Sequence, residues 1–127
     1  MDVIKRLGMA LIAIAASGWP AMNAYAALDA TGQREVAALL AFVGSSDCIF
    51  IRNGSSYSGV EARAHLQYKL EYLERRDLIN SAEQFIARAG SASSFSGKPY
   101  KVNCEGKEQL SADWLTEELV RLRQQQP

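Results

Sequence analysis

The sequence predicts an α+β fold, mostly α, with about four helices, a small two-stranded sheet and one disulfide. Three observations predict it. Apolar residues recur at helical spacing in four stretches of the chain. Two short runs rich in β-branched and aromatic residues, Cys48 to Arg52 and Tyr100 to Cys104, favour extended structure. Each run carries one of the two cysteines, so pairing Cys48 with Cys104 sets the runs side by side.

The first 26 residues stand apart from this plan. Lys5 and Arg6 are a short basic region, Leu7 to Trp19 is apolar, and Ala24-Tyr25-Ala26 offers small residues at the −3 and −1 positions. This is the layout of a cleavable export signal, cut after Ala26. A spanning helix needs roughly 20 apolar residues. The run here is shorter, and Gly18, Pro20 and Asn23 interrupt its end. No cysteine at the cut points to a lipid anchor. Residues 27–127 are then one domain of about a hundred residues, enough for a single core. The expected compartment is the periplasm, with no membrane span left after cleavage.

The elements follow in order. Leu28 to Val43 is a helix with Val36, Leu39, Leu40 and Val43 on one face, capped by Asp29 or Thr31 and ended by Gly44. After the first strand, Asn53-Gly54 is a turn signal, but Ser55-Ser56 does not read as the second strand of a hairpin. Ser58 with Glu61 forms a capping box, opening a helix to about Arg75 with Ala62, Leu66, Leu70 and Leu73 as its stripe. Asn80 and Glu83 form a cap-like pair before a short helix of Ala82, Phe85, Ile86 and Ala89, stopped by Gly90. Ser91 to Pro99 is a polar loop. The second strand ends in a turn at Glu105-Gly106-Lys107. Ser111 caps a last helix with Trp114, Leu115, Leu119 and Leu122 inward.

Charge excludes some functions. The chain has 14 basic and 14 acidic side chains; without Asp2, Lys5 and Arg6 the domain keeps 12 and 13. Near-neutrality gives no electrostatic case for nucleic acid. One histidine and two distant cysteines show no metal-ligand spacing, and neither a metal nor a cofactor is expected. Two cysteines in an exported domain pair most often, worth roughly 4 kcal/mol in the chain-entropy model. Two buried thiols are the alternative.

One polar cluster stands out. Arg52, Asn53 and Tyr57 lie at a strand end and its turn. His65 and Lys69 lie one turn apart on the next helix, and Ser94, Ser96, Lys98 and Tyr100 lie on the loop entering the partner strand. A disulfide joining the strands can bring them together. They then either hold loops, hydrogen-bonding carbonyls and capping N–H groups, or line a pocket for an anionic or sugar-like ligand. In the second case Arg52 offers a forked donor pair, and Tyr57 or Tyr100 a stacking face. His65 with Ser94 or Ser96 is the raw material of a small hydrolase, and a serine with Lys69 that of a Ser–Lys pair. No nucleophile elbow or Gly-rich oxyanion loop accompanies them. Trp114 and Leu115 read as core anchors. Glu71, Glu74, Arg75 and Arg76 read as a solvated face, as do Glu117 and Glu118.

Several of these motifs carry a resemblance. Cys48-Ile49-Phe50-Ile51-Arg52-Asn53-Gly54, Tyr57, His65-Leu66 and Lys69 are its first part. Ser81-Ala82-Glu83, Phe85-Ile86, Ser93 to Tyr100, Cys104 and Trp114-Leu115 complete it. Together they resemble, over nearly the whole domain, the YfeK-like family of exported Gram-negative bacterial proteins, a domain of unknown function. The resemblance implies a small periplasmic domain with no assigned activity and no known cofactor. Ser96-Gly97-Lys98-Pro99-Tyr100 is also similar to the loop by which periplasmic inhibitors of C-type lysozyme, which are β-barrels, enter the acidic cleft of the enzyme. The expected function is a non-enzymatic binding or interaction module of the cell envelope. Its partner would be a periplasmic protein or a small anionic or sugar-like ligand. A hydrolase, a lysozyme-inhibitor-like protein and a structural envelope component are the alternatives.

Overall fold

The computed structural model describes residues 27–126. The expected export signal and its expected cut after Ala26 lie outside the described residues. The order is helix α1 (Ala30–Ser45), strands β1 (Ile49–Arg52) and β2 (Ser55–Tyr57), and helix α2 (Gly59–Arg75). Then come the short helix α3 (Ala82–Phe85), continued by a π-type turn (Ile86–Gly90), strands β3 (Lys101–Cys104) and β4 (Lys107–Leu110), and helix α4 (Ser111–Gln124). The mostly helical α+β class and the disulfide Cys48–Cys104 are as expected. No helix among the described residues is long and apolar enough to cross a membrane.

The sheet has four strands rather than two, all antiparallel, in the order β2-β1-β3-β4. Both added strands come from two-residue hairpins. Asn53 and Gly54 take φ of 51° and 81°, and Glu105 and Gly106 take 55° and 87°. Two successive positive φ values match the twist of the flanking strands. Asn53-Gly54 therefore does close a hairpin. Its outer strand escapes an apolar pattern because Ser55 and Ser56 sit exposed at a sheet edge, where polar residues block further pairing. Lys107 and Glu108 do the same on the other edge.

One sheet face is covered by the helices. Phe50 pairs with Val102 there, both buried. They meet Leu39 and Val43 of α1, Leu66 and Leu70 of α2, Phe85 of α3, and Leu115 and Leu119 of α4. Trp114 stacks on Phe42 at 4.4 Å between ring centroids and meets Phe50 edge-on at 5.4 Å, which confirms it as a core anchor. Gly59 lets α2 begin against the end of α1. A Cβ there would lie 2.5 Å from Val43 O and 2.9 Å from Ser46 O.

Several end signals differ from expectation. Asp29 caps α1 as foreseen, accepting from the Gly32 N–H at 2.7 Å. The capping box of Ser58 and Glu61 is present. Gly44 lies inside α1 and Gly90 inside the π-type turn, and neither takes positive φ. They serve packing, since a Cβ would meet Arg63 Cδ and Leu115 Cδ1, each at 2.7 Å. Ser81, not Asn80, caps α3, accepting from the Gln84 N–H. Ser111 opens α4 without a side-chain cap, and its N–H donates to Tyr100 O. Glu118 is buried rather than solvated, because Arg121 Nε donates to it at 2.7 Å. Glu35, also buried, accepts a fork from Arg123 at 2.9 and 3.0 Å.

Candidate functional site

The sheet register builds the site. Ile51 pairs with Lys101 and Ile49 with Asn103. One step outward on one side sets Cys48 opposite Cys104, and one step on the other sets Arg52 opposite Tyr100. With side chains alternating along a strand, Arg52 and Tyr100 emerge on the same face as Phe50 and Val102, at the sheet end. Helix α2 crosses that end. His65 and Lys69, one turn apart, both reach the Tyr100 phenol: His65 Nε2 lies 3.0 Å and Lys69 Nζ 3.1 Å from Oη. Lys69 also donates to Ala92 O at 2.9 Å, and its ammonium lies 4.9 Å from the Tyr100 ring centroid. Arg52 Nη1 lies 3.3 Å from His65 Nδ1 and 3.5 Å from Nε2, and its guanidinium sits over the Tyr57 ring at 4.6 Å.

Proton bookkeeping shows what this cluster lacks. Arginine only donates, so the imidazole must turn a lone pair toward it and is neutral. Burial, then Arg52 and Lys69, hold the His65 pKa below its ordinary value. Nε2 lies within hydrogen-bond reach of Tyr100 Oη, and the tautomer sets which of the two donates. Lys69 donates to the same oxygen. Tyr100 Oη thus joins His65 Nε2 and Lys69 Nζ in one hydrogen-bonded group. Burial, opposed by Arg52, raises the Tyr100 pKa, so the phenol stays protonated. Burial, then Arg52, brings Lys69 down to about 8. Among the described residues no carboxylate lies within salt-bridge reach of Arg52, Lys69 or Arg88.

These groups line a cleft of about 330 Å³. Its floor is Arg52, His65, Lys69 and Tyr100, and its rim holds Tyr68, Tyr72, Arg88 and Phe95. No acidic residue lines it. A smaller cavity of about 40 Å³ on the other side of Arg52 and His65 is bordered by Tyr57, Glu61 and Phe50.

The candidates thus separate. Arg52, His65, Lys69 and Tyr100 meet, and Ser94 and Asn53 line the same cleft. Tyr57 supports Arg52 from the small cavity. Ser96 faces Asn53, donating to Oδ1 at 2.6 Å, and Lys98 lies along a shallow groove with Gly54 and Lys101. Neither Ser94 nor Ser96 hydrogen-bonds His65, whose ring nitrogens contact Arg52 and Tyr100. The loop that bears Ser96 to Tyr100 sits on an α+β domain, not on a barrel.

Five residues were missed, the rim residue Phe95 among them. Ser93 is buried, and its Oγ accepts from the Phe95 and Ser96 N–H groups and from Asn53 Nδ2. It thereby locks the loop to the β1–β2 turn. Tyr68 and Tyr72 follow His65 by three and seven residues, a spacing that places them on its helix face. Arg88 gave no signal, because its place depends on the π-type turn.

Residues 30–123 match the profile of a family described as "Family of unknown function (DUF5329)". The chain is similar to "Uncharacterized protein YfeK" of Salmonella typhimurium, with 35% identity over 98 residues, covering 76% of this chain and 77% of that protein. No solved structure matches.

Proposed function

The chain belongs to the DUF5329 family, in which kinship assigns no activity, and we propose that it is an exported, non-enzymatic binding module that takes a small anion in the Arg52–Lys69 cleft. One observation carries this reading: donors converge on the cleft floor with no acidic residue to meet them. Arg123, by contrast, is matched within the fold by Glu35 and Glu83. Arg52 and Lys69 instead border an open volume, and their partners there are the neutral groups of His65, Ala92 and Tyr100. A phosphate or carboxylate there offsets the Arg52–Lys69 repulsion. The aromatic rim suits a ligand with an apolar or ring-shaped part beside its charge. The Cys48–Cys104 disulfide and the leader pattern support an oxidising compartment, the periplasm.

Thermal unfolding in inorganic phosphate against chloride at matched ionic strength tests this. Phosphate at about five times its dissociation constant stabilises by about 1 kcal/mol, which raises Tm by about 4–8 °C in a domain of this size. Phosphate also stabilises proteins generally by exclusion from their surface, so the readout is the excess over Arg52→Ala. Equal rises in the two proteins would remove the reading.

A further inference from the structure

Phe95 is 96% exposed, and the loop around it is built to keep it so. Ser93 Oγ accepts from the Phe95 and Ser96 N–H groups at 3.2 and 3.1 Å. Ser93 N–H donates to Lys98 O and Gly97 N–H to Ser93 O, each at 2.9 Å. Asn53 ties the loop to the sheet through Ser93 and Ser96. These bonds fix the backbone of the loop at a point where the ring stands clear of the domain.

The ring stands at the rim of the cationic cleft. Across the opening, Tyr68 is 65% exposed and Tyr72 is also exposed. Arg88 lines the same cleft, its Nη1 donating to Leu78 O, and the Arg76 guanidinium sits 3.8 Å over the Tyr72 ring. At about 3.6 residues per turn, Glu74 falls on the far side of α2 from His65 and Lys69, and Glu71 borders the face at Tyr68. One face therefore presents aromatic tips, flanking cations and an anion-seeking floor. Aromatic and basic side chains together are the composition of the membrane–water interface. An anionic bilayer supplies both complements from one surface, phosphates for the floor and an apolar phase for the ring.

We propose that this face docks on an anionic phospholipid bilayer, with one headgroup phosphate on Arg52, Lys69 and Tyr100 and the Phe95 ring in the acyl boundary. The proposal rests on the cleft being an anion site. It describes peripheral, reversible, salt-sensitive attachment.

Co-sedimentation with vesicles tests it, comparing phosphatidylglycerol–phosphatidylethanolamine with phosphatidylcholine alone. The chain and its Phe95→Ser variant are run in the same background, so that any contribution from the apolar leader cancels in the difference. Wild type sediments more with the anionic vesicles, and added salt weakens it. Phe95→Ser lowers the partition about tenfold, the scale of withdrawing one phenylalanine from an apolar phase. The phosphate-dependent rise in Tm of wild type over Arg52→Ala is measured alongside, so that the anion site is read without Phe95. Equal sedimentation of variant and wild type, or equal binding to both vesicle types, overturns the docking. If phosphate stabilises the chain while vesicle binding ignores Phe95, docking falls and the anion site stands. If phosphate has no specific effect either, both fall.

Discussion

At Lys69 burial and a neighbouring guanidinium act in the same direction. The side chain is only 7% exposed and its ammonium lies near Arg52, so the charged form is penalised in the folded state. Below pH 8 both folded and unfolded chains hold the proton, and the penalty is fully present. Between about pH 8 and 10.5 the folded chain has released it and the unfolded chain has not, so this group makes stability rise with pH through that window. A shift of this size corresponds to an upper limit on the order of 3 kcal/mol. Urea unfolding from pH 7.5 to 9.5, short of Tyr100 titration, checks it. Wild type should gain stability relative to Lys69→Met as pH rises. Parallel curves would mean that the ammonium is well solvated. His65 has the same sign at lower pH, since its pKa is also depressed.

The elements show which features a sequence makes legible. The helices were readable because each buries one stripe, and α1 and α2 carry theirs as Leu39, Leu40 and Val43 and as Leu66, Leu70 and Leu73. Strands β2 and β4 were not, because an edge strand of Ser55-Ser56 or Lys107-Glu108-Gln109 buries almost nothing. Its only trace is the turn beside it. Glycine gave the least reliable signal, as a residue lacking Cβ serves a stop and a close approach equally well. Gly59 and Gly90 separate by what their missing Cβ would meet. Gly59→Ala would drive Cβ into backbone oxygens of Val43 and Ser46, whereas Gly90→Ala meets the movable end of Leu115. Gly59→Ala should cost about 1–3 kcal/mol and Gly90→Ala less, as read from thermal melts. Equal losses would show that the α1–α2 junction yields as easily as a side chain.

Across the whole molecule, one register links the covalent staple to the candidate site. The antiparallel pairing that closes Cys48 on Cys104 also places Arg52 opposite Tyr100 four residues along each strand. Convergence of the two halves of the polar cluster was therefore legible once the cysteines were paired. Which members meet was not, because Lys98 and Ser96 differ from Tyr100 only in loop geometry. The far end of the bundle is closed differently, by Arg123 bridging Glu35 of α1 and Glu83 of α3. These hydrogen bonds hold the Arg123 pKa above its ordinary value. The two ends thus contrast: one set of cations is matched within the fold, the other is left facing a cleft.

The imidazole of His65, the only histidine in the chain, reports on that unmatched end. Its pKa, followed by proton NMR of the ring, is predicted to start below the ordinary value and to rise when inorganic phosphate is added, because a bound anion favours the imidazolium against Arg52 and Lys69. Arg52→Ala should raise the starting value and abolish the response. A His65 pKa unmoved by phosphate at any concentration would contradict an anion site in this cleft.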